Sequence, residues 1–186
     1  MRRCAIALVH HPVLDGKGDV VTTAVTNLDV HDLARSARTY GVGDYFVVHP
    51  IAAQRELVER IREHWTDGSS GRRIPDRREA IALLRIVETL EGAIDALGGR
   101  DRVEVWVTAA RALGHPLTFA EARDRVHGGS EKAVLIVFGT GWGLAASVVD
   151  GADALLEPIR AESSEYNHLS VRSACAIALD RLFGAR

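Results

Sequence analysis

The chain has 186 residues, 47% of them apolar and 26% charged, and a formal net charge of −2. That balance suits a single globular domain over residues 1–186 with a sizeable core, and excludes a disordered or fibrous chain. It also excludes nucleic-acid binding through overall charge, so such a partner needs a local basic patch, and no apolar run is long enough to span a bilayer.

Residues 3–9 read as a first strand; the apolar run is too short for a signal peptide and ends in His10 and His11. Cys4 and Cys175 lie in apolar surroundings, as small core residues do. With no CxxC and no disulfide framework, the expected setting is a reducing cytoplasm. Residues 10–28 form a long connection, and long loops after a strand are often functional. Asp29 is expected to cap a helix over residues 30–40. Val30, Leu33, Ala34 and Ala37 make its apolar face, with His31, Asp32, Arg35 and Arg38 on the other side and Gly41 as its stop.

Residues 45–48 form strand two, followed by a helix whose face is Leu57, Val58, Ile61 and Trp65. Residues 66–76 read as a loop, and Arg72, Arg73, Arg77 and Arg78 gather there around Asp76. This cluster suits RNA phosphates or simply a solvated loop. Residues 79–98 are ambiguous: 83–87 suit a strand and 90–97 a helix ended by two glycines. Residues 103–107 form a strand with its turn at 108–111. Thr118 and Glu121 form a capping box for a short helix.

Residues 133–138 are an apolar, β-branched run of the kind buried on both faces of a sheet. It ends in Gly139, Gly141 and Gly143, a loop with little side-chain bulk that lets backbone approach a flat ligand. In open α/β sheets such loops at the carboxyl ends of strands are ligand sites. Alone, the spacing suits a nucleotide, a phosphate, S-adenosylmethionine or a tight turn with no ligand. It is neither G-x-G-x-x-G nor a Walker loop. A short helix over 145–149 and a last strand over 154–156 follow. A helix over 169–183, apolar almost all round, is expected in the core or between subunits. Strands alternating with helices predict an α/β domain with a mostly parallel sheet and helices on both faces.

Three segments stand out together: Asn27 to Val42 around Arg35, Phe138 to Leu144, and Leu156 to Arg160 continuing into Tyr166 to Ile177. In this order they resemble the three motifs of the SPOUT-class RNA methyltransferases, especially the TrmH-like ribose 2′-O-methyltransferases. The wording resembles a compact bacterial SPOUT group sometimes fused to the tRNA guanine-N1 methyltransferase. The resemblance covers essentially the whole chain. It implies a C-terminal trefoil knot, a homodimer, S-adenosylmethionine as cofactor, and RNA, most of all tRNA, as substrate. Arg35 matches the arginine that acts at the target hydroxyl. Phe138, Gly139, Thr140, Gly141 and Gly143 match the cofactor loop, and Leu156, Pro158 and Ile159 the second cofactor segment. His168, Leu169, Ser170 and Ser173 fall in the third, and Thr108 and Ala109 end a strand that adds a further contact. Arg38, Arg72, Arg73, Arg77 and Arg78 are the candidates for RNA. Asp29, His31, Gly141-Trp142 and Ser170 depart from the usual motif residues.

From residues alone, Arg35 suits a helix-face ion pair with Asp32 or His31 better than a catalytic role, an order that the motif context reverses, and Trp142 suits packing as well as covering a ligand. The histidines lack HxH or HExxH spacing, and no metal is expected. Ribose methylation leads; base methylation of the guanine-N1 type and a non-catalytic RNA-binding protein are the alternatives. A nucleotide-binding oxidoreductase is disfavoured because the glycine loop lies late in the chain.

Overall fold

The most apolar runs, Cys4–Val9 and Ala133–Gly139, meet in parallel at the centre of a sheet, with Cys4 opposite Val134 and Val9 opposite Gly139. The structure, a computed structural model, describes residues 1–111 and 114–185. In chain order the elements are β1 (Cys4–Val9), β2 (Val13–Leu14), β3 (Val20–Val21), α1 (Asn27–Thr39), β4 (Asp44–Val48) and α2 (Ala52–Thr66). Next come α3 (Ser69–Arg73), α4 (Pro75–Ile81), β5 (Leu84–Val87), α5 (Leu90–Ala96), β6 (Val103–Val107) and α6 (Phe119–His127). The chain closes with β7 (Ala133–Gly139), α7 (Ala146–Asp150), β8 (Ala154–Leu155) and α8 (Val171–Phe183).

Among the described residues, six strands form one sheet in the order β5-β4-β1-β7-β6-β8. Every pairing in it is parallel. Alternate residues of the central strands point to opposite faces, as the two-residue period of a strand requires. Ile6, Leu8, Val47, Trp106, Ile136 and Phe138 pack under the face covered by α1, α6 and α8. Ala5, Ala7, Val9, Val105, Leu135 and Val137 pack under the other, against Ile94 of α5 and Val148 of α7. Burying a side chain such as Leu135 contributes about 1.5–3 kcal/mol, and double coverage is why β1 and β7 read as unbroken apolar runs. Among the described residues no helix is long and apolar enough to cross a membrane. Cys4 and Cys175 are both buried free thiols, and burial pushes the former up to about 11 and the latter to about 12.

Four expectations change. The connection 10–28 contains the antiparallel pair β2–β3, with Val13 opposite Val21; two-residue strands are too short to show a period. Helix α1 begins earlier than expected and Thr26 caps it, accepting from the Asp29 amide at 3.2 Å. Asp29 is therefore inside the first turn, where one carboxylate oxygen accepts from the Thr26 hydroxyl at 2.7 Å and the other is left for a further partner. Residues 66–76 are not a loop but hold α3 and the start of α4. Ser69, Ser70 and Gly71 look like turn formers, yet a Cβ on Gly71 would lie 1.9 Å from the Trp65 carbonyl oxygen. Glycine there lets α3 close on α2, and Pro75 opens α4 at a position where its missing N–H costs nothing. The last helix starts at Val171 rather than 169, because Ser170 is its N-cap. The ambiguous stretch 79–98 resolves into the end of α4, then β5 and α5. The capping box of Thr118 and Glu121 forms as expected.

Candidate active site

The glycine loop leaves the carboxyl end of β7 and is backed by the β2–β3 hairpin. The Trp142 amide donates to the Leu14 carbonyl at 2.9 Å and the Leu14 amide to Gly143 at 2.9 Å. The Ala145 amide donates to Pro12 at 3.1 Å. Gly141 has φ +61°, and a Cβ there would lie 2.7 Å from the Leu14 carbonyl oxygen. Gly143 has φ +113° and faces open space. Gly141 thus serves the turn, and the open side of the loop is at Gly143. Phe138 is buried in the core, so only its backbone borders the loop.

A directional chain of hydrogen bonds fixes the loop from beneath. The Thr140 hydroxyl donates to the Val9 carbonyl at 3.1 Å, so its oxygen accepts from Thr23 at 2.5 Å. Thr23 in turn accepts from Nδ1 of His10 at 3.0 Å. This places the proton of neutral His10 on Nδ1 and leaves Nε2 bare, buried and without a partner among the described residues. Burial, and then the neighbouring His49, lower the His10 pKa to about 4. Below the ordinary value of 6.5 the unfolded chain takes up a proton that folded His10 refuses, so stability is lost as pH falls from 6.5 towards 4. Urea unfolding is expected to show about 2 kcal/mol less stability at pH 5 than at pH 7 from this residue. His31 and His49, lowered mainly by burial, act in the same direction. A flat profile over that interval would contradict the buried neutral tautomer.

Three other segments arrive at the same carboxyl edge. Thr108 and Ala109 end β6, with the Thr108 hydroxyl donating to the Val137 carbonyl at 3.0 Å. Leu156 is buried and its amide donates to Val107 at 2.9 Å; Pro158 and Ile159 follow it, half-buried. Asn167 donates to the Ala110 carbonyl at 2.8 Å, laying the third segment across the end of β6. The His168 ring stands edge-on to Trp142 at 6.1 Å and leaves His168 and Leu169 exposed beside the glycine loop. Ser170 accepts from the Ser173 amide at 3.2 Å, and the two hydroxyls lie 3.0 Å apart. The structure therefore brings residues 108–109, 138–143, 156–159 and 167–170 to one edge.

Arg35 does not sit in that cluster. It is exposed on α1, with its guanidinium 3.6 Å from Asp32, the helix-face pair the sequence suggested. Its link to the cluster runs through Arg172, which donates to Asp29 at 2.7 Å and lies 3.6 Å from Asp32. Asp29 is buried, so Arg172 neutralises a carboxylate that α1 holds out of water. Removing one partner of a fully buried pair costs about 3–5 kcal/mol, and because Arg172 is one-third exposed we expect roughly 2 kcal/mol for Arg172→Ala. In a melting experiment that is a fall of about 4–8 °C. Asp29→Asn in the same background should recover most of it, and an unchanged melting temperature in the single variant would remove the pair from the account.

The five other arginines do not form one patch. Arg38 pairs with Glu79 at 2.9 Å. Arg72 and Arg73 are exposed on α3, Arg78 is exposed on α4, and Arg77 turns towards α1 with its guanidinium 4.9 Å from the Trp65 ring centroid. Arg77 and Arg35 line one open cleft of about 620 Å³ between α1, α2 and α4. Sequence reading missed Asp29, Arg172, Thr23 and Leu14 as organisers. Of these, only Leu14 and Thr23 fall in the long connection before α1 that the sequence marks out.

The site is thus a glycine loop at the carboxyl end of a central parallel strand, met there by the segment that precedes the last helix. Solved structures share that fold: TrmJ from Z. mobilis ZM4 with a TM-score of 0.65 at 19% identity, over 98% of this chain and 69% of that one. The SpoU methyltransferase AviRb from Streptomyces viridochromogenes, in complex with AdoMet, gives 0.58 at 14% identity over 98% of this chain and 58% of that one. A family model described as SAM-dependent RNA methyltransferase matches residues 3–184, and the chain belongs to that family. S-adenosylmethionine is its cofactor, and the open space at Gly143 beside exposed His168 and Leu169 is room for such a group. A relative from Nitratidesulfovibrio vulgaris named tRNA (guanine-N(1)-)-methyltransferase is 42% identical over 185 residues, which is 98% of this chain. The chain spans only 42% of that protein's length.

Proposed function

We propose that the protein methylates a ribose 2′-hydroxyl of RNA, with tRNA as the substrate. The observation that carries this reading is Arg35, an exposed guanidinium on α1 that Asp32 and Arg172 tie to the segment ending at Ser170. Bound S-adenosylmethionine supplies a methyl group on a sulfonium, open to in-line displacement. The chain's own task is positioning and charge. A ribose hydroxyl is a weak nucleophile, and a fixed guanidinium stabilises the developing alkoxide or clamps the adjacent phosphate. Thr108, Ala109, Gly139, Thr140, Gly143 and the segments 156–159 and 168–173 hold the cofactor, with His168 and Trp142 closing its outer side. Arg38, Arg72, Arg73 and Arg78 add attraction for RNA phosphates.

In this reading residues 1–186 act as one domain in the cytoplasm, and the segment after β8 is threaded as a trefoil knot. The protein works as a two-fold homodimer, supported by half-buried Val171, Ala174 and Ile177 along α8. Light scattering at micromolar concentration should give about twice the chain mass of 20.2 kDa, and a monomer would remove the dimer from the proposal.

Guanine-N1 methylation is the second reading, favoured by the name of the Nitratidesulfovibrio vulgaris relative. That name belongs to a protein more than twice as long, so the named activity need not lie in the part this chain matches. Tritiated methyl incorporation into unmodified tRNA followed by alkaline hydrolysis separates the two. A 2′-O-methyl group blocks the hydroxyl that alkali uses to cut the strand, so the label should stay in alkali-stable dinucleotides. Label recovered as 1-methylguanosine monophosphate would replace the first reading with the second.

A further inference from the structure

The cleft between α1, α2 and α4 collects arginines that have no acidic partner. Arg60 and Arg77 make no ion pair among the described residues. Other arginines on the same helices do: Arg38 with Glu79, Arg55 with Glu88, Arg62 with Glu59. Arg35 adds a third guanidinium, and His31 and His64 line the cleft beside it. The cleft's one carboxylate, Asp32, already lies 3.6 Å from both Arg35 and Arg172. The guanidinium of Arg77 is laid 4.9 Å from the Trp65 ring centroid, and the ring of His31 meets Trp65 edge-on at 5.3 Å. The Trp65 stack holds the Arg77 cation in place before any ligand arrives, which lowers the ordering cost of binding. The positive field is felt inside the cleft: after burial, Arg77 is the largest influence holding the His31 pKa down.

We propose that this cleft is a second phosphate site, in which Arg60 and Arg77 hold the phosphodiester of a nucleotide beside the one presented to Arg35. The inference rests on the RNA methyltransferase reading above and adds residues outside the cofactor segments. Asn27, Leu28, Arg60 and His64 at its rim are exposed, so the cleft is open along its side and accepts a strand passing through. Its donors are charged groups, suited to a phosphate of any sequence and fixing register rather than reading a base. Because the whole chain carries a net charge of −2, this concentration of cations is local.

The test is fluorescence anisotropy of a labelled, unmodified tRNA transcript against the full chain at several salt concentrations. Arg60→Gln/Arg77→Gln is expected to weaken binding about tenfold and to make the slope of log affinity against log salt shallower by roughly 1.5–2. Arg60→Lys/Arg77→Lys should keep most of the slope, since charge is retained. S-adenosylmethionine affinity, measured by calorimetry, should match wild type in both variants and shows that they are folded. Arg60→Gln alone, which leaves the Trp65 stack untouched, should give about half the change in slope. If the wild type binds and methylates tRNA while the Gln variant keeps its affinity and slope, only this cleft assignment falls. If the variant instead loses binding of AMP or inorganic phosphate but not of tRNA, the cleft is a small-anion site and the proposal is overturned. A wild-type protein that neither binds nor methylates tRNA takes the underlying reading down with it.

Discussion

Arg35→Ala is expected to lose roughly a hundredfold or more in methyl transfer while binding S-adenosylmethionine almost as well as wild type. Each 1.4 kcal/mol of lost transition-state stabilisation is about tenfold in rate, and a charged donor aimed at developing negative charge is worth about 2.7–4 kcal/mol. The fold should tolerate the change. Among the described residues Arg35 pairs only with Asp32 at 3.6 Å, both side chains are partly in water, and exposed pairs contribute about 1 kcal/mol at most. Asp32 keeps Arg172 as a neighbour. The measurement is tritiated methyl incorporation into unmodified tRNA beside cofactor calorimetry. Full activity in the variant would take Arg35 out of the mechanism. A folded variant that no longer binds cofactor would move Arg35 into the cofactor set.

Gly141→Val should abolish measurable cofactor binding, by about a hundredfold or more, although its side chain does not enter the ligand space. The residue adopts φ +61°, a region that costs a β-branched side chain about 1–3 kcal/mol. Its Cβ would also press on the Leu14 carbonyl at 2.7 Å, the same oxygen that accepts from the Trp142 amide. Either the hairpin or the loop must move, and the binding-competent loop becomes a minor state whose scarcity is subtracted from affinity. Gly141→Ala carries the backbone cost without the branch and should lose about tenfold. Wild-type affinity in the valine variant would show that the loop tolerates displacement and that its hairpin support is irrelevant to the ligand.

The sheet was readable because β1 and β7 are covered on both faces, which writes their burial into the sequence as continuous apolar runs. The glycine loop was visible for a similar reason, because three glycines interrupt such a run, whereas the segments around Leu156 and His168 stood out only through their resemblance to the SPOUT motifs. Side-chain partnerships were not visible. Asp29 and Arg172 meet across 143 positions, and nothing near either residue announces the other. The basic cleft is assembled by three helices, one of which, α4, begins inside a stretch whose Ser, Gly and Pro content pointed to a loop. Trp65 looked like one more apolar residue on the face of α2, and only its contact with Arg77 gives it another meaning. The long connection after β1 was marked as functional, but not that it would hold the glycine loop from beneath.

The sheet order has a consequence for a chain still being made on the ribosome. β1 pairs on one side with β4 and on the other with β7. The partial sheet β5-β4-β1 can assemble once residue 87 has emerged, but β7 follows about fifty residues later. At 5–20 residues per second that is an interval of roughly 3–10 s. Throughout it, β1 is an edge strand whose six residues are all destined for burial. Its amide and carbonyl groups stand open to any passing strand, the arrangement most prone to mispairing with another nascent copy. Slow translation between residues 88 and 139, or depletion of holding chaperones, should therefore lower soluble yield more than changes made after β7 is complete.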